Sequence, residues 1–151
     1  MARFTNLGDV IVRDRDLDKV AVIDLGGQGL PSIVITTNGG PAYLLRNDGG
    51  NRNHRIRLTL LRGPRAGDGI GARVALQTKA GKQMKWVKSG SSYLSQSELP
   101  LTFGLGREAG PVSAEILWPG GKRESLSGLQ PDSAYTIREG RGIIAQSTLK
   151  P

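Results

Sequence analysis

Cysteine is missing from all 151 residues, which excludes disulfides and thiolate zinc sites. A chain without cysteine suits any redox compartment, so this absence leaves the location open. Histidine occurs once, as His54 in NRNHR. One histidine cannot build a His-rich metal site, and no recognised catalytic spacing sets a Ser or Asp beside it. The reading for His54 is a surface or joint residue. Aromatics number seven, and they do not cluster as single-strand nucleic-acid binding requires. No run approaches the roughly 18 apolar residues of a membrane span. The opening MARFTNLGD has no apolar core of the signal-peptide kind. If the protein is exported, its leader was removed or belongs to a longer precursor.

What the chain does have is glycine, 22 residues, with 8 prolines. That density suits short strands joined by turns rather than long helices. Apolar residues make up 37% and mean hydropathy is −0.28, enough for a modest core. In residues 1–50 the apolar runs are DVIV (9–12), VAVI (20–23), IVIT (33–36) and AYLL (42–45). Polar or Gly/Pro turns separate them, and four such strands make one β-meander or one propeller blade. Further on, RIRLTLL (55–61) alternates polar with apolar residues, as a strand with one buried face does. ARVALQT, a hairpin turn at AGK and QMKWVK follow, then LTFGLG, VSAEILW, a turn at PGGK, RESL, AYTIR and IIAQSTL. No amphipathic helix is evident. The pattern predicts an all-β chain.

Charge divides the chain as well. Residues 1–50 hold five Lys/Arg and six Asp/Glu, a balance of −1, while residues 51–151 hold 16 and seven, a balance of +9. The change falls at the polar stretch RNDGGNRNHR, which reads as a module boundary. The expected domains are therefore residues 1–50 and 51–151.

Several blocks in the second part occur together: RNDGGNRNHRIRLTL, GDGIGARVAL, SGSSYLSQSELPLTFGLG and ILWPGGK. In this order and spacing they resemble the ASPIC/UnbV domain, over about residues 51–140. The resemblance implies a β module, sandwich or barrel, of the kind found at the C-terminus of extracellular proteins. In that family the domain follows FG-GAP (VCBS-type) propeller repeats, and residues 18–50 resemble the last of these. The family repeat carries a D-x-D-x-D-G-x-x-D calcium loop. Mapped onto DLGGQGLPS, Asp24 holds the first position and Gly29 the turn, while Gly26, Gln28 and Ser32 stand where further carboxylates belong. Calcium takes six to eight oxygens, several of them carboxylate. The expectation is a vestigial loop at Asp24 and Gln28, and no metal or other cofactor.

Four other features compete for a role. The glycines of GDGIGAR suggest a phosphate loop, but a strand rather than a helix follows, so positive φ in a turn is the plainer account. Lys79, Lys82, Lys85 and Lys88, with Trp86 among them, suggest polyanion binding. Side chains alternate along a strand, so these lysines cannot all share one face, and nucleic acid is disfavoured. Phe103 and Trp118, beside turn glycines, read as core anchors. SGSSYLSQSE (89–98) packs five hydroxyls with Tyr93 and Gln96, as a structured loop whose serines satisfy turns would. It is also the best binding candidate in the chain. Ser91, Ser92, Tyr93, Ser95 and Gln96 would contact a ligand, and Lys85 or Lys88 would assist.

These readings point to extracellular, cell-surface or periplasmic binding or structural support, with an unknown glycan or protein ligand. Two alternatives are a polyanion-binding barrel using the basic half and an accessory component of a biosynthetic pathway. No nucleophile–base pair supports an enzyme. Val10, Val12, Val20, Val22, Ile33 and Ile35 give residues 1–50 more apolar surface than a lone sheet leaves wet. That segment is expected to pack on the second module, or to pair with another copy as a homo-oligomer or filament.

Overall fold

A computed structural model describes residues 4–6, 17–47, 53–63, 67–91 and 93–149. Every regular element among them is a strand, thirteen in all. They fall into two compact units. One comprises the described residues of 1–51 together with Ser89–Glu98, the other those of 52–88 and 99–150.

The first unit is a four-stranded sheet of β1 (Phe4–Asn6), β2 (Leu17–Ile23), β3 (Ser32–Thr37) and β4 (Tyr43–Asn47), in the order β1-β4-β3-β2. All pairs are antiparallel, with Val22 opposite Ile33 and Ile33 opposite Leu45. β2, β3 and β4 correspond to VAVI, IVIT and AYLL. The run DVIV with Val10 and Val12 lies outside the described residues. The most buried side chains of this unit are polar, Asp24 and Ser32, while Val20 and Val22 remain 42% and 37% exposed. At the outer edge of β2, Val22 N–H donates to Ser97 Oγ (3.1 Å) and Glu98 N–H donates to the Val22 carbonyl (3.0 Å). Both edge groups of Val22 are thus occupied by a segment 75 residues away, which blunts the edge against pairing with another chain there.

The second unit holds two sheets. One is ordered β11-β10-β7-β8, from β7 (Arg73–Thr78), β8 (Gly81–Trp86), β10 (Val112–Leu117) and β11 (Arg123–Leu129), all antiparallel. The other is ordered β13-β12-β5-β6, from β5 (His54–Arg62), β6 (Gly67–Asp68), β12 (Ser133–Arg138) and β13 (Gly142–Thr148), and β9 (Leu101–Gly106) also pairs with β5. β5 and β12 run parallel. Neither sheet closes on itself, so the open sandwich rather than the barrel is the architecture adopted.

Alternation explains the core. Ile56, Leu58 and Leu60 on β5 face inward, as do Leu101, Phe103 and Leu105 on β9. Val74 and Leu76 on β7, with Ala114 and Ile116 on β10, meet them in one buried cluster. Phe103 and Trp118 are buried in that cluster, as core anchors. The Tyr135 hydroxyl, also buried, accepts from Gln130 N–H at 2.8 Å. The β7–β8 hairpin turns at Lys79–Ala80, with Thr78 opposite Gly81, so the turn sits one residue earlier than AGK suggests.

Candidate ligand-binding surfaces

Loop 89–98 is braced by its own polar groups. Ser91 N–H donates to the Ser95 carbonyl at 2.9 Å, and Ser95 Oγ donates to the Tyr93 carbonyl at 3.1 Å. Ser97 Oγ donates to Ser91 Oγ at 3.3 Å. Serines that read in sequence as ligand donors therefore also hold the loop, as hydroxyls in turns commonly do. Ser92 lies outside the described residues. What the loop presents outward is its tip: Tyr93 is 77% and Leu94 73% exposed, and Gln96 is exposed beside them. Leu94 adopts φ 46°, a left-handed conformation that a branched side chain disfavours.

The lysines separate by strand alternation. Lys82 lies on the outer face of its sheet, where it meets Glu115 at 3.7 Å. Lys85, an odd number of residues further on, points the other way. Its ammonium donates to the Thr102 carbonyl and lies 5.3 Å from the Phe103 ring centroid. Together with Gln83 Nε2, which donates to the Gly104 carbonyl (2.8 Å), it ties β8 to β9 at the side of the sandwich. Lys88 is exposed after β8. Lys85 and Lys88 belong to the second unit and loop 89–98 to the first.

In DLGGQGLPS the Asp24 carboxylate serves the turn itself. Oδ1 accepts from Gln28 N–H at 3.1 Å and Oδ2 from Gly29 N–H at 2.5 Å, while Gly29 holds φ 71°. The Gln28 side-chain amide donates to the Gly26 carbonyl at 3.0 Å. Asp24 is thus a buried clamp on two amides. Asp24→Ala should destabilise the first unit by about 1–3 kcal/mol, because two backbone donors lose their acceptor. Asp24→Asn, which keeps one oxygen, should cost less. Thermal unfolding and amide exchange over residues 17–47 check this, and an unchanged exchange pattern in Asp24→Ala would refute the clamp. Added calcium should leave the parent's unfolding temperature where it is.

His54, half-buried at the start of β5, has a specific partner that sequence reasoning missed. Its Nδ1 lies 2.6 Å from Asp132 Oδ2, and Asp132 Oδ1 accepts from Arg55 N–H at 3.2 Å. Asp132, at φ 52°, also donates through its own N–H to the Arg55 carbonyl (2.7 Å). Among the described residues no other hydrogen-bond partner of the His54 ring is found, so the pair reads as a clasp between β5 and the turn before β12. In GDGIGAR, Gly69 N–H donates to the Leu60 carbonyl at 2.9 Å and Gly71 N–H to the Val87 carbonyl at 2.7 Å. Those amides are consumed by neighbouring chain rather than turned toward an anion.

Residues 63–144, more than half of the chain, match the model of the ASPIC and UnbV family. The chain belongs to that family. Cartilage acidic protein 1 of Mus musculus is 31% identical over 129 residues, 81% of this chain and 19% of the relative. The Homo sapiens protein of the same name is 30% identical over 127 residues, 80% of this chain and 18% of its own length. That of Xenopus tropicalis is 31% identical over 124 residues, 78% and 18% respectively. The chain therefore spans about a fifth of the length of these curated relatives.

The stretch matched by the ASPIC and UnbV family begins just after β5 and runs into β13. It takes in both hairpins of the four-stranded sheet and loop 89–98, whereas Asp24 and the first unit's sheet precede it. No helix among the described residues is long and apolar enough to cross a membrane.

Proposed function

We propose that this ASPIC and UnbV protein is a non-catalytic extracellular or cell-surface binding module whose ligand is a glycan or protein gripped by the tip of loop 89–98. The observation that carries this reading is the tip itself. Tyr93 and Leu94 stand 77% and 73% exposed on a loop braced by serine hydrogen bonds, with Leu94 held at φ 46°. A strained, exposed, apolar tip on a rigid support costs stability, and such strain concentrates at recognition sites. Gln96 flanks it with a polar group suited to orienting a ligand. Residues 18–50 fit the role of a degenerate FG-GAP-type repeat, in which Asp24 keeps the turn after calcium binding is lost. The His54–Asp132 pair, to which no nucleophile is bonded among the described residues, supports a structural rather than a catalytic part for this histidine.

The test is an array of glycans and extracellular proteins probed with the full chain, Tyr93→Ala and Leu94→Gly. Glycine accepts positive φ at no steric cost, so Leu94→Gly keeps the loop shape while removing the apolar contact. Neither variant should unfold below the parent's temperature, and both should lose about tenfold or more in affinity for a neutral glycan or a protein that the parent binds, as truncation of an exposed anchor does. Unchanged binding in both variants would overturn the assignment of the tip.

A further inference from the structure

The outer face of the β11-β10-β7-β8 sheet carries chemistry that the reading of loop 89–98 does not use. Cross-strand register puts Arg123 opposite Leu117, Leu117 opposite Arg73, and Arg73 opposite Trp86, one row running across all four strands. In the neighbouring row Glu115 faces Ala75 and Ala75 faces Met84. The surface is concave here, with a volume of about 260 Å³. Ala75 is its low point: the short methyl lets Lys82 reach across β7 to Glu115, 3.7 Å away.

The charges at this surface are not matched. Glu115 is occupied by Lys82, and Glu124 by Lys122 at 3.1 Å and by Gly140 N–H at 2.5 Å. Among the described residues, neither Arg73 nor Arg123 has a carboxylate partner. The Arg73 guanidinium lies over the Trp86 ring, 4.8 Å from its centroid. Arg123 and Arg73 thus stand on either side of Leu117 in one row, their backbone positions two strand spacings apart, or about 9.6 Å. Beside Arg73, on β8, lie exposed apolar groups: Trp86 is 56% and Met84 61% exposed.

We infer that this face binds a linear anionic polysaccharide, carboxylated or sulfated, lying along the Arg123–Leu117–Arg73–Trp86 row. Guanidinium forks match carboxylate and sulfate oxygens, and their delocalised charge is more weakly hydrated than an ammonium. Leu117, Ala75 and Met84 offer an apolar floor for the C–H face of a pyranose, and the two arginines bring cationic groups to the same row. An acidic peptide fits less well. The row runs across the strands, so a peptide lying in it gains none of the main-chain bonds that strand addition provides. A nucleic-acid strand meets one aromatic already stacked under Arg73, and Glu115 interrupts the cationic track that such a strand follows.

The experiment uses the full chain with four immobilised probes: heparin, polygalacturonate, neutral dextran and poly-glutamate. Variants are Arg73→Gln/Arg123→Gln, Trp86→Leu and a charge-matched control, Arg62→Gln/Arg107→Gln, on exposed residues outside the four strands of the row. Parent-like unfolding temperatures establish that each variant is folded. The parent should bind one or both acidic polysaccharides and not dextran, with affinity falling as salt rises. The Arg73/Arg123 double variant should lose about tenfold or more, as loss of charge-assisted hydrogen bonds does, and the control less than about threefold. Comparison of heparin with polygalacturonate distinguishes sulfate from carboxylate. Equal losses in the two double variants, preference for poly-glutamate, or no polysaccharide binding would each overturn the inference. Tyr93→Ala, measured in parallel, separates this face from the loop tip: it should leave polysaccharide binding unchanged.

Discussion

Phe103→Ala should destabilise the second unit by about 3–5 kcal/mol, the range for truncating a fully buried aromatic. Phe103 is completely buried on β9, opposite Ile56 of β5. Its ring also lies beneath the Lys85 ammonium, 5.3 Å from the centroid. Removing it leaves a cavity lined by inward residues of both sheets and takes away the surface on which Lys85 rests. The loss is a large share of the roughly 5–15 kcal/mol by which ordinary domains are stable. Urea unfolding checks this: the midpoint should fall while the dependence on urea keeps its slope. A loss below about 1.5 kcal/mol, the scale of a volume-conserving core swap, would mean that the core collapses around the vacancy and that Phe103 is not its keystone.

Gly69→Ala should have the next largest effect, although it adds only one methyl group. A Cβ at position 69 would lie 2.7 Å from Leu60 Cβ and 2.8 Å from the Leu60 carbonyl oxygen. The oxygen belongs to a central strand and cannot swing aside, so residue 69 must move. Moving it breaks the 2.9 Å bond from Gly69 N–H to the Leu60 carbonyl. Overpacking costs about 1–3 kcal/mol, and the lost hydrogen bond adds about 1 kcal/mol. Gly104→Ala is the control, because nothing lies within 4 Å of its added Cβ. Thermal unfolding of the two variants should separate clearly, with Gly104→Ala close to the parent. If Gly69→Ala melts with Gly104→Ala, close chain approach is not why glycine stands there.

Strands were legible in the sequence either as continuous apolar runs between turns, as in β2, β3 and β4, or by a two-residue period. RIRLTLL became β5 with Ile56, Leu58 and Leu60 buried, and LTFGLG became β9 with Leu101, Phe103 and Leu105 buried. β1 and β6 were not legible, because strands of three and two residues are too short to show a period. Nor was the parallel pairing of β5 with β12, since nothing local to either strand specifies a neighbour so distant in sequence. At the candidate site, alternation correctly separated Lys82 from Lys85, but the capture of Lys85 by the Thr102 carbonyl depends on how β9 lies against β8. The hydroxyl-rich loop was recognisable as a loop. Its attachment to Val22 was not, because Ser97 and Val22 are 75 residues apart. The arginine row was invisible for the same reason: its members come from four strands that only the sheet register aligns.

The parallel pair of β5 and β12 bears on how the chain reaches its fold. β5 leads the second unit in sequence, yet its neighbours β9 and β12 lie at residues 101–106 and 133–138. The His54–Asp132 clasp spans 78 residues. During synthesis β5 therefore emerges without either of these neighbours and waits until β9 and then β12 have followed. Such long-range closure makes folding slow, in the range of milliseconds to seconds for sandwiches of high contact order. In the meantime a nine-residue strand, paired with β6 only at Leu61 and Arg62, is a template for aggregation. Arg55 and Arg57, set between its apolar residues, place charge in that waiting strand, as gatekeeper residues do. Replacing them with neutral residues would lower the yield of folded protein more than it lowers the stability of the protein once folded.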